Sequence, residues 1–185
     1  MSLLARTVLL CVISGLVVVG LARVSAGDSG TAWVPSGMPE FTQRDASAWL
    51  NSPPLTSAQL RGQVVLLEVW TFGCVNCQRS IPWLRSLAHR HAPSALRLVG
   101  IHTPEFSNER DRHNVDTHAQ QAGVTWPIML DNDQAYWNAL HNDYWPAFYL
   151  VDKQGQIRAL SVGEIHEGDA QAQRLEAQIA GLLKE

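Results

Sequence analysis

The sequence predicts an α/β sandwich built on a mixed β-sheet flanked by helices. Three observations point there. Near-continuous apolar runs of strand length occur at Gln63–Trp70 (QVVLLEVW) and Ala95–Ile101 (ALRLVGI), as in strands covered on both faces. Each run is followed by a segment of helical character. A β-hairpin and an amphipathic helix then close the chain.

In chain order, Gln43 to Leu50 reads as a short helix, broken by Asn51-Ser52-Pro53-Pro54. The Gln63–Trp70 strand leads into a helix from Cys74 to about His91. Ile81, Leu84, Leu87 and Ala88 fall at helical spacing in it, and Pro82 is expected to kink it. After the second strand, Phe106 to Gln121 is polar and reads as one helix, ended by Gly123. Trp126–Leu130 reads as a short strand and Asp131–His141 as a further helix. Ala147–Val151 and Gln156–Val162 form the hairpin around Asp152-Lys153-Gln154-Gly155. From Asp169 to Leu183, residues Ala172, Leu175, Ile179 and Leu182 share one helix face.

Composition narrows the function. Hydrophobic residues make up 46% and charged residues 17%, enough to bury a core. A formal charge of −3 supplies no basic surplus for a phosphate backbone, so nucleic acid is not an expected partner. The seven Trp read as core and groove lining. Arg6 precedes a charge-free apolar run, Val8–Leu21, that is short for a span of about 20 residues. Residues 1–26 are therefore expected to be a signal peptide or an N-terminal membrane anchor. Membrane contact would run through residues 3–22 if they are retained. Residues 27–40, rich in Gly, Ser and Pro, read as a linker, and 41–185 as the domain. The expected location is periplasmic or otherwise extracytoplasmic.

Of three cysteines, Cys11 lies in the apolar run, leaving Cys74 and Cys77 for chemistry. A secreted scaffold held by disulfides would carry more cysteines at wider spacing. Residues three apart on a helix share a face, so these two sulfurs can close a bond with little backbone movement. Cys74 falls at a helix N-terminus, where free N–H groups and the macrodipole favour a thiolate. Cys77, one turn in, is shielded. Cys74 thus reads as the attacking thiol and Cys77 as the resolving one. A half zinc site would need two more ligands, and the histidines offer no pairing beyond His89 and His91, which point to different sides of a helix. No cofactor is called for. Glu68, in the middle of an apolar strand, is a desolvated carboxyl able to exchange protons near neutral pH.

The stretch Glu68–Cys77 (EVWTFGCVNC), with Pro82 five residues beyond, resembles the active-site strand and helix of thioredoxins. It is most similar to exported TlpA-like proteins and the thioredoxin-like domain of DipZ-type membrane electron carriers. Val99–Phe106 (VGIHTPEF), Leu130–Asp133 (LDND) and Tyr144–Asp152 (YWPAFYLVD) look like that subgroup, and the resemblance spans roughly 41–185. It implies a thioredoxin-like fold with an extra helix–strand insertion before a cis-proline, Pro146, that faces the disulfide and presents substrate backbone to it. It also implies that Glu68 is the buried acid assisting the second cysteine. The dipeptide Val75-Asn76 differs from the Gly-Pro of thioredoxin, so the redox poise does not carry over.

The function expected is thiol–disulfide exchange with protein substrates, with reduction favoured over oxidation by analogy to TlpA-like proteins. A separate membrane electron carrier is the expected donor. Two alternatives stand beside it, a thiol peroxidase and a copper-binding chaperone module. Thr71, three residues before Cys74, resembles the Thr-x-x-Cys of peroxiredoxins, although Leu67 stands where their motif has proline. Trp126-Pro127 competes with Trp145-Pro146 but lacks the following Leu-Val-Asp pattern. His102 and Glu105 read as exposed loop residues near the site.

Overall fold

The computed structural model describes residues 37–185, so the expected leader or anchor and most of the expected linker lie outside the described residues. The last residues of that linker are attached to the domain. Met38 donates its N–H to Gly155 O (2.9 Å), and Pro39 O accepts from the Tyr136 hydroxyl (3.1 Å).

The sheet has six strands: β1 (Trp49–Leu50), β2 (Val64–Trp70), β3 (Leu96–His102), β4 (Ile128–Leu130), β5 (Ala147–Val151) and β6 (Ile157–Val162). Their spatial order is β1-β4-β3-β2-β5-β6. Strands β2, β3 and β4 are parallel, while β1, β5 and β6 each run antiparallel to a neighbour. All seven residues of β2 are buried, as the unbroken apolar run implies for a central strand. Its alternation feeds two cores. Val64, Leu66 and Trp70 pack with helices α1 (Val75–Arg90) and α4 (Ala170–Lys184), while Val65, Leu67 and Val69 pack on the other face with Phe41, Trp49 and Tyr149.

Helix α1 begins at its cap residue Cys74 and continues through Pro82 to Arg90. Its inner face buries Ile81, Trp83, Leu84 and Leu87, and Trp83 also donates its indole N–H to Glu176 of α4 (2.8 Å). The four residues expected on the inner face of α4 are all buried. Leu87→Ala at the α1 contact should cost about 2–5 kcal/mol, since a fully enclosed leucine leaves a cavity. A urea titration reads this as a lowered midpoint.

Three expected helices are shorter or absent. Gln43–Leu50 holds only a 3-10 turn at Ala46–Ala48, capped by Asp45, before Trp49–Leu50 joins the sheet. Pairing with Ile128 and Met129, together with the Trp49 indole bond to Gln43 O (2.8 Å), outweighs so short a helix. The polar stretch 106–121 divides at Asp111, which caps α2 (Arg112–Gln121) by accepting from the N–H of His113 and Asn114. A separate 3-10 turn, Ser107–Arg110, precedes it. The helix expected from Asp131 is the short α3 (Ala135–Ala139). The buried Asp131 side chain instead accepts from Tyr136 and Trp137 N–H (2.9 Å each).

Candidate active site

Parallel strands β2 and β3 bring their C-terminal ends to one edge, and antiparallel β5 starts there, with Ala147 opposite Val69. The segments that follow β2 and β3 and the one that precedes β5 therefore converge. Cys74 follows β2 by a short turn closed by Cys74 N–H to Thr71 O (3.3 Å). Cys74 and Cys77 are disulfide-bonded, with Cα atoms 5.2 Å apart. Cys74 caps α1, its sulfur accepting from Cys77 N–H (3.2 Å). It is partly exposed, while Cys77 is fully buried. Spacing and helix start thus give one accessible sulfur and one covered sulfur.

Glu68 lies on the face of β2 that carries Leu66 and Trp70, the same core that holds Cys77. Only 2% of it is exposed, and its Oε1 has no hydrogen-bond partner. Burial pushes its pKa up to about 8, against a smaller opposing effect of the Trp126 indole. Opposite it in β3 stands Gly100, where a Cβ would come within 2.9 Å of Trp70 Nε1. The missing side chain makes room for two indoles beside the carboxyl.

The Trp145-Pro146 peptide bond is cis, the only such bond among the described residues, and Pro146 directly precedes β5 at the edge where Cys74 lies. Trp145 donates its indole N–H to Thr103 O (3.1 Å) and packs on Trp137 with ring centroids 4.2 Å apart. The segment after β3 is thereby fastened to the proline loop.

His102 is a correction to the sequence reading: it ends β3 and is fully buried. Its Nε2 lies 3.3 Å from Thr71 Oγ1 and 3.4 Å from the donating N–H of Phe72. Burial lowers its pKa to about 4. Glu105 is exposed, as expected. Thr71 is fully buried, with its hydroxyl turned to His102.

Sequence reasoning missed Glu109 altogether. Although the sequence places it in a polar stretch, it is 1% exposed and accepts the N–H of Gly73 (3.0 Å), Glu105 (2.6 Å) and Phe106 (3.0 Å). The one local signal was an acidic residue at the third position of a turn, where a carboxylate reaches back to free N–H groups.

A family model for Redoxin matches residues 34–179. The chain belongs to the Redoxin family. It is 37% identical over 155 residues to protein DipZ of Mycobacterium tuberculosis, covering 82% of this chain and 22% of that protein. The chain thus spans about a fifth of the length of that relative. It is 32% identical over 127 residues to the thiol-disulfide oxidoreductase YkuV of Bacillus subtilis, covering 68% of this chain and 83% of the relative. Among solved structures, a thioredoxin-like protein in the oxidized form superposes with TM-score 0.68 and 29% identity, over 80% of this chain and 95% of the other. This Redoxin domain has the thioredoxin-like fold.

Proposed function

We propose that the protein is an exported thiol–disulfide oxidoreductase that reduces disulfides of protein substrates, with Cys74 as the attacking thiol and Cys77 as the resolving thiol. The observation that carries this reading is the contrast within one bonded pair, a partly exposed Cys74 capping a helix and a fully covered Cys77. Cys74 thiolate attacks one sulfur of a substrate disulfide. A mixed disulfide forms, and the other substrate sulfur leaves as thiolate. Cys77 thiolate then attacks Cys74 Sγ, releasing the second substrate sulfur, and the Cys74–Cys77 bond closes. Two electrons pass to the substrate, and each released thiolate takes a proton according to pH.

Glu68, on the Cys77 side of β2, is the group that takes the Cys77 proton as the mixed disulfide resolves. Its raised pKa near 8 suits exchange at neutral pH. Pro146 offers no N–H to compete at the edge, leaving neighbouring backbone to pair with an extended substrate segment. The apolar run Val8–Leu21 supports export or tethering of the domain, with a membrane electron carrier as donor.

The test is insulin reduction by the purified protein, coupled to the reduction potential of the pair. Turnover with a potential near the thioredoxin value of about −270 mV supports a reductant. A value near about −120 mV identifies an oxidant and overturns the direction proposed. No turnover overturns the exchange reading itself.

A further inference from the structure

We propose that Glu109 is a positioning residue for the redox pair, a buried anion that holds the turn before Cys74 and restrains ionisation of the Cys74 thiol. Three features place it there. Its Oε1 accepts the Gly73 N–H, one residue before Cys74. A Cβ at Gly73 would collide with that same oxygen, so the glycine serves close approach of a carboxylate and not an unusual backbone angle. The rest of the carboxylate is fixed from its own loop by the N–H groups of Glu105 and Phe106.

The groups around Glu109 leave it charged. Burial alone would raise its pKa, but the N–H of Phe106, the Thr71 hydroxyl and the N–H of Glu105 outweigh that and hold it low. His102 is its titratable neighbour, and burial keeps that imidazole neutral above about pH 4. His102 therefore brings no positive charge to this carboxylate at pH 7.

Its consequence for Cys74 follows from sign. The start of α1 favours a thiolate there, and a fixed anion beside Gly73 opposes it. Reducing the pair breaks the S–S bond with two electrons. Cys77 takes one proton, and Cys74 stays ionised or takes a second according to its pKa. Glu109 destabilises the ionised form of the reduced state, which makes the pair a stronger reductant. This role of Glu109 rests on Cys74 being the attacking thiol.

The experiment equilibrates the purified protein with dithiothreitol redox buffers at pH 7 and titrates Cys74 alkylation by iodoacetamide against pH. Glu109→Gln keeps the length and an acceptor oxygen but removes the charge. It should lower the alkylation midpoint by about one pH unit and shift the equilibrium toward the reduced form by up to about tenfold, about 30 mV, the full shift being reached where Cys74 is ionised in both proteins. Glu109→Asp, which keeps the charge, should stay near wild type in both. Gly73→Ala displaces the carboxylate without altering Glu109 and should move in the same direction as Glu109→Gln. It decides the matter if Glu109→Gln does not fold. Wild-type potential and midpoint in Glu109→Gln, with only a lower Tm, would reduce Glu109 to a structural carboxyl and overturn the proposal. So would equal shifts in the Gln and Asp variants. The potential is read on the protein alone, so this result stands apart from whether wild type reduces insulin.

Discussion

Cys74→Ser should abolish insulin reduction, whereas Cys77→Ser should stop turnover while accumulating substrate as a mixed disulfide through Cys74. The asymmetry follows from burial: Cys77 is fully covered and Cys74 is the sulfur that solvent and substrate can reach. Without Cys74 nothing accessible attacks. Without Cys77 the first exchange proceeds and nothing resolves it. Loss of a covalent nucleophile removes the whole exchange pathway, so activity should fall to the level of the free thiol reductant in the assay. Non-reducing gels and mass spectrometry check both outcomes. Trapping through Cys77 in the Cys74 variant would reverse the roles.

Glu68→Gln should flatten the pH dependence of both stability and catalysis. The folded pKa of Glu68, about 8, lies above its ordinary value of 4.5. A raised carboxyl pKa makes a contribution that is fully present below about pH 4.5 and is lost as pH rises toward 8. The unfolded chain ionises freely over that window, while the folded protein must keep the proton or bury a charge. Wild type should therefore fall behind Glu68→Gln progressively from pH 4.5 to 8, with a gap on the order of 4 kcal/mol at the top of the window. Urea midpoints measured from pH 4 to pH 9 give the gap directly. A gap that stays constant would mean the carboxyl titrates normally. In the same variant, resolution of the mixed disulfide should slow near pH 7, because the amide cannot accept the Cys77 proton.

The sequence made the central sheet legible because β2 and β3 are buried on both faces and show it as unbroken apolar runs. Cys74 and Cys77 were legible for a similar reason: three-residue spacing at a helix start is a local property. Glu68 stood out as a lone charge among Val, Leu and Trp. What stayed hidden depends on contacts between distant segments. His102 reads as a loop residue until β3 is seen to include it and its imidazole to reach Thr71, 31 positions away. Glu109 sits 36 positions from Gly73, and no periodicity marks a carboxylate whose partners are backbone N–H groups. Asp131 likewise reads as a helix start, because Asp commonly caps helices. Its carboxylate does accept from the Tyr136 and Trp137 N–H in the first turn, but α3 itself begins only at Ala135.

The segment from Thr103 to Glu109 is bonded at one end to the loop that carries Pro146 and at the other to the turn that carries Cys74. Thr103 O holds the Trp145 indole beside Pro146, and Glu109 holds Gly73 beside Cys74. It works as a strut. Seven residues of backbone join the Trp145 side of the site to the turn that carries Cys74. Lengthening or shortening this strut by one residue would leave each anchor intact locally while throwing the two halves of the site out of registry.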